Sequence, residues 1–191
     1  MPSSNSETIP FEIEFIREHN PNLESVLDIG MGFGKGGFLI REYIDVKNKQ
    51  RYKLQDWKVK IVGIDIFDGY ITDIQRLLYN QIIIGDVFSV LPKLGKFDLV
   101  ILGDIVEHFE KSKGKKLLKE VFKHTENIIV TTPYGFQSQP PDKDNKYMEH
   151  KSGWKIKDFE KYKIVDTYVV PKIRKPKKKA LVVYLRKKHK K

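Results

Sequence analysis

The chain of 191 residues contains no cysteine. That absence excludes disulfides, a thiolate nucleophile and a zinc site built on thiolates. Long apolar runs are missing as well: no stretch approaches the roughly 18–20 residues that a membrane-spanning helix needs. The opening residues, Met1-Pro2-Ser3-Ser4-Asn5-Ser6, lack the charged-then-apolar order of a secretory leader. There is no internal repeat. These absences predict a cytoplasmic protein and a single domain over 1–191 with room for a sizeable core.

Acid is missing from one region in particular. Residues 171–191 hold eleven lysines and arginines and no acid, so this end carries the whole net charge of +11, and the remaining chain balances 25 bases against 25 acids. Two readings follow. The end is either a solvated, solubilising loop and tail, or a surface that attracts RNA or another polyanion.

What the sequence does have is a series of apolar strands, each closed by a turn that can bind something. Val26-Leu27-Asp28-Ile29-Gly30-Met31-Gly32-Phe33-Gly34 reads as a first parallel strand running into three alternate glycines. Such a turn lets a ligand lie against the backbone and aims the N-terminus of the next helix at it. Ile61-Val62-Gly63-Ile64-Asp65-Ile66 and Ile82-Ile83-Ile84-Gly85-Asp86-Val87 are apolar runs closed by an acid. Phe97–Gly103 and Asn127–Thr132 read as two more buried strands, the fifth ending at Pro133-Tyr134. Helices are expected over Ile9–His19, over 36–44 with Phe38, Leu39, Tyr43 and Ile44 inward, over 70–80 with Ile71, Ile74, Leu77 and Leu78 at helical spacing, and over 111–123. Lys163–Val170 and Ala180–Leu185 read as a closing pair of strands joined by a basic loop at 172–179. The long irregular stretch 135–153 suits a substrate-side loop.

In order and kind, these motifs resemble class I S-adenosylmethionine-dependent methyltransferases over roughly residues 23–135. The resemblance implies an α/β fold: a seven-stranded doubly wound Rossmann-like sheet, mostly parallel with an antiparallel last strand. It implies S-adenosyl-L-methionine as cofactor. Asp28, Gly30, Met31, Gly32 and Gly34 would frame its methionine part, Asp65 its ribose hydroxyls, with Ile66 against the adenine face. Asp86 and Val87 would meet the adenine, and Gly103–Asp104 the sulfonium side. Asp65 lies 31 residues beyond Gly34, further than the usual 20 or so, and residues 45–58 read as an insertion, which costs little closure entropy.

Methyl transfer from a sulfonium needs a nucleophile held in line about 3 Å from the methyl carbon; a base is needed only if the nucleophile must lose a proton. Asp104, Glu107 and His108 share one helical face by spacing, and His150 follows in the 135–153 loop. These four are the catalytic candidates, with Glu107 alternatively a helix cap. The acceptor, an oxygen or nitrogen, is expected on a small molecule because no separate binding domain is present. The alternative is RNA: Asp104-x-x-Glu107-His108 is similar to the Glu-x-x-Glu-His of metal-dependent small-RNA 2′-O-methyltransferases, and Asp104, Glu107, His108 and His150 would then suit Mg, Mn, Fe or Zn. A non-catalytic nucleoside- and RNA-binding protein is a third reading, and a nicotinamide oxidoreductase a fourth. Trp154 is read as an anchor for the loop or a lid aromatic, and Phe33 as a cover for the methionine part or a shield for the turn.

Overall fold

Uninterrupted apolar runs suit the strands of a parallel sheet, and five of them align here in one. The computed structural model describes residues 6–173 and 175–188. Its strands are β1 (Ser25–Ile29), β2 (Lys60–Asp65), β3 (Gln81–Ile84), β4 (Leu99–Gly103), β5 (Asn127–Pro133), β6 (Lys163–Lys172) and β7 (Lys175–Arg186). They lie in the order β3-β2-β1-β4-β5-β7-β6. β1 to β5 pair in parallel, and β7 runs antiparallel to both β5 and β6. This is the seven-stranded, mostly parallel sheet the sequence implies.

Five helices cover the sheet: α1 (Ile9–His19), α2 (Lys35–Ile40), α3 (Asp73–Leu78), α4 (Val87–Val90) and α5 (Lys111–Val121). Alternation along the strands assigns each helix a side. Val26, Ile61, Leu99, Ile101 and Ile129 pack with Phe15 and Ile16 of α1, Leu39 and Ile40 of α2, and Leu78 of α3. Leu27, Ile29, Val62, Ile64, Val100 and Val130 face the other way, onto Val87 and Val90 of α4 and Leu117, Leu118 and Val121 of α5. The chain therefore winds from β1 outward to β3 over one face, returns to β4 beside β1, and winds to β5 over the other. Between β1 and β4 the direction reverses, which opens a crevice at their carboxyl ends.

The helices depart from expectation in instructive ways. α2 continues without a break as a π-helical stretch over Arg41–Asn48, so helix extends into the 45–58 stretch. Arg41 is buried there; its guanidinium pairs with Asp45 at 2.7 Å and donates to the carbonyls of Leu78 and Val59, while Arg51 grips the other Asp45 oxygen. Phe38 faces solvent instead of the core. α3 is shorter than 70–80, because Thr72 and Gln75 form a capping box that fixes its start. That start turns Gln75 and Leu78 inward and leaves Ile74 and Leu77 exposed at 62% and 55%. Gln75 takes a core-facing position because its amide serves backbone carbonyls, as described below. The 172–179 stretch is not a loop: β6 runs to Lys172, and β7 is already strand from Lys175. Arg174, Lys190 and Lys191 of the basic end, and residues 1–5, lie outside the described residues. No helix among the described residues is long and apolar enough to cross a membrane.

Candidate functional site

The turn after β1 is built from left-handed backbone, with φ of +72° at Gly30, +49° at Gly32 and +86° at Gly34. Gly30 has a second constraint: a Cβ there would sit 1.8 Å from Ile105 Cδ1. The N–H groups of Gly30 and Met31 donate to the Ile64 carbonyl at 2.7 and 3.3 Å, and that of Gly32 to Asp65 Oδ2 at 3.0 Å. The glycine turn of β1 is thus seated on the end of β2.

Asp28 lies beneath this turn. Tyr79 donates its hydroxyl to Asp28 Oδ2 at 2.5 Å and accepts the Gly37 N–H at 3.0 Å. Burial pushes the Asp28 carboxyl up to about 6, and the Tyr79 hydrogen bond opposes that rise. Gln75 adds a second strut, its amide donating to the carbonyls of Gly32 at 2.8 Å and Tyr70 at 2.7 Å.

A cavity of about 610 Å³ opens along the carboxyl ends of the strands. Of the cofactor candidates, Gly30, Met31, Gly32, Asp65, Ile66, Asp86, Val87, Gly103 and Asp104 line it; Asp28 and Gly34 stand behind its wall. Asp65 is raised by burial, while the N–H groups of Phe67 and Gly32 hold its two oxygens in place. Asp86 caps α4 by accepting the Phe88 N–H on Oδ1 at 2.8 Å.

The four catalytic candidates line the other end of the same cavity. Asp104, at the tip of β4, adopts left-handed backbone with φ +54° and donates its N–H to Thr131. Glu107 is buried, with Oε2 accepting from the Thr132 hydroxyl at 3.1 Å and Oε1 left without a partner. Desolvation first, and then the Asp104 charge, hold its carboxyl well above the ordinary carboxylate range. Glu107 is no side-chain helix cap: its carbonyl instead accepts the N–H groups of Lys151 and Ser152, fastening the end of the 135–153 segment.

His108 and His150 meet edge to face with ring centroids 5.0 Å apart. Nδ1 of His108 lies 3.0 Å from the Glu149 carbonyl, and Nδ1 of His150 lies 2.6 Å from that of Gln137. A carbonyl can only accept, so each Nδ1 carries a proton in these bonds. Burial lowers the His108 pKa from its ordinary value. Glu107, His108 and His150 can each offer a ligand atom within 4.8 Å of the others; Asp104, the remaining member of the expected quartet, is not in that group.

Trp154 is wholly buried, donates to Ser152 Oγ at 3.0 Å and carries the Lys111 ammonium 3.9 Å above its ring. Its position is that of an anchor. Phe33 is exposed and stacks on Tyr70 at 5.8 Å. Sequence reasoning missed Tyr70, Gln139 and Asn145 among the cavity residues. No local pattern marks them; they reach the cavity through tertiary contacts.

No family model matches this sequence, and no curated protein matches it. Solved structures do. One is the 1,6-didemethyltoxoflavin-N1-methyltransferase of Burkholderia thailandensis with bound 1,6-didemethyltoxoflavin and S-adenosylhomocysteine, at 14% identity and a TM-score of 0.66, covering 97% of this chain and 80% of that one. Another is the magnesium protoporphyrin IX methyltransferase of Synechocystis PCC 6803 with bound S-adenosylmethionine, at 15% identity and 0.59, covering 95% and 78%. A third is the small RNA methyltransferase HEN1, at 16% identity and 0.62, covering 95% of this chain and 25% of that one. The chain has the Rossmann-like fold of the class I methyltransferases.

Proposed function

We propose that this protein binds S-adenosylmethionine across the carboxyl ends of β1, β2 and β3 and transfers its methyl group to an oxygen or nitrogen of a small molecule held at the ends of β4 and β5. The observation that carries this reading is the single cavity that joins the glycine turn, Asp65 and Asp86 at one end to the two imidazoles at the other. Two carboxylates on successive strand ends suit the ribose hydroxyls and the adenine amino group, and the bare backbone of the turn leaves room for the methionine part. The neighbours crystallised with S-adenosylmethionine or its demethylated product share this fold.

On this reading the sulfonium supplies its own leaving group, so the protein's task is positioning. On the same reading His108 and His150 are the bases that take the proton of a hydroxyl or ammonium acceptor, and Asp104 orients it. The test is tritiated methyl transfer from S-adenosylmethionine into cell extract, with and without nuclease. Label in nuclease-resistant small molecules is expected; no label in any fraction would contradict the reading.

A second reading, an RNA-directed and metal-assisted 2′-O-methyltransferase, is favoured by one specific feature. The unpartnered Glu107 Oε1 sits with two imidazoles in a group that fits a divalent ion such as Mn, Fe or Zn. When bound, such an ion would polarise an acceptor oxygen. Lys172, the last residue of β6 and beside the turn of the basic hairpin, also lines the cavity. Under this reading His108→Ala abolishes metal uptake without lowering cofactor affinity, and label appears in a nuclease-sensitive fraction; full activity in chelator would reject it.

A further inference from the structure

The 135–153 segment leaves the sheet at β5, yet it reaches Tyr70 in the turn that follows β2. Between those strands lie β1 and β4, so the segment crosses the crevice where the strand order reverses. One end is fixed by the buried Trp154 and by the bonds of Lys151 and Ser152 to the Glu107 carbonyl. The far point is Asn145, only 4% exposed, whose Nδ2 donates to the Tyr70 hydroxyl at 3.1 Å. Asn145 also shapes its own turn, since Oδ1 accepts the Tyr147 N–H at 3.0 Å and its carbonyl accepts from Asp142 and Met148.

Tyr70 in turn belongs to the cofactor end. Its carbonyl accepts from the Gln75 amide that also holds Gly32, and its ring stacks on Phe33 of the glycine turn and meets Phe67 at 4.6 Å. A continuous chain of contacts therefore runs from the glycine turn through Gln75 and Tyr70 to Asn145. Tyr147, Met148 and His150, which line the cavity, follow within five residues.

Building on the functional reading above, we propose that Tyr70 and Asn145 are positioning residues. Their hydrogen bond fastens the segment as a strap over the bound nucleoside, so that exchange of cofactor for its demethylated product requires the bond to open. Closing it sets Tyr147, Met148 and His150 around the acceptor. A strap held at its far point by one neutral hydrogen bond opens readily, which suits a site that must turn over. It also predicts an order: cofactor first, acceptor second.

The test measures S-adenosylhomocysteine association and dissociation rates by stopped-flow for the full chain and four variants, with melting temperature and acceptor KM alongside. Tyr70→Phe keeps the ring stack and removes only the hydroxyl. It is expected to raise the dissociation rate about 3- to 10-fold, and to raise acceptor KM with kcat nearly unchanged and the melting temperature preserved. Asn145→Ala should do the same. Asn145→Asp should restore wild-type rates, because a carboxylate can accept from the Tyr70 hydroxyl and still take the Tyr147 N–H. The double variant Tyr70→Phe/Asn145→Ala should be no worse than Asn145→Ala alone. Equal rates in wild type and Tyr70→Phe, or additive effects in the double variant, would overturn the strap role alone. A wild-type chain that does not bind the ligand would overturn the functional reading and the strap role with it.

Discussion

The two ends of the cavity are built in opposite ways. At the β1–β3 end the two carboxylates sit at strand termini and are held by backbone N–H groups of the turns: Asp65 by those of Gly32 and Phe67, Asp86 by its cap on α4. At the β4–β5 end the groups come from segments far apart in sequence. His108 is held by Glu149, His150 by Gln137, and Glu107 by Thr132 and the 151–152 backbone. The first end is a rigid cradle made by local turns, and the second is an assembly that depends on the strap being in place. A site arranged this way keeps one ligand class fixed while leaving the other free to vary with a loop.

The sharpest separation of the two ends is His108→Ala. Methyl transfer is expected to fall by roughly 10²–10⁴-fold, the range for loss of a general acid–base group. Affinity for S-adenosylhomocysteine should stay within about twofold. A large loss of cofactor affinity in this variant would erase the division between cradle and assembly.

The next effect concerns the support beneath the cradle. The Asp28 carboxyl is raised to about 6 from 3.8 by burial, so the folded state binds its proton more tightly than the unfolded chain does. That contribution to stability is fully present below about 4 and is lost as pH rises through about 6. Its full size is about 3 kcal/mol. Denaturant titrations of wild type and Asp28→Asn between pH 4 and 8 should therefore converge or cross, the wild type losing stability relative to the variant as pH rises. Parallel curves would show that Tyr79 holds a carboxyl of ordinary acidity. Asp65→Asn comes third: it should weaken S-adenosylhomocysteine binding about 10-fold, the scale of one charge-assisted hydrogen bond, and leave the β4–β5 end untouched. The smallest effect is on the outer rim. Replacing Lys177, Lys178 and Lys179 by Gln should leave cofactor binding alone; if the hairpin contacts a polyanion, the salt dependence of that binding should flatten.

The same contrast explains what could be read from the sequence. The first four strands were legible because each is an apolar run closed by an acid or glycine, and the cradle residues sit within two or three positions of those runs. α3 is shorter than expected because its start is set by the Thr72–Gln75 box, and Gln75, a polar residue, occupies a core position by satisfying two carbonyls. Residues 172–179 look like a loop by charge, but β7 is strand from Lys175 onward, and Lys172, Lys175 and Lys179 pair across the ladder of β6 and β7. Phe38 looks apolar and inward, yet it is exposed while Arg41, three residues on, is buried against Asp45. Tyr70 and Asn145 carried no signal at all, since their pairing joins positions 75 residues apart. What the sequence hides here are side chains whose role is defined by a distant partner.

The most direct test is a calorimetric titration of the purified chain with S-adenosylhomocysteine, S-adenosylmethionine and NAD. The account predicts one-to-one binding of both sulfur ligands and no heat with NAD. Absence of heat with both sulfur ligands, or binding of NAD in their place, would contradict it.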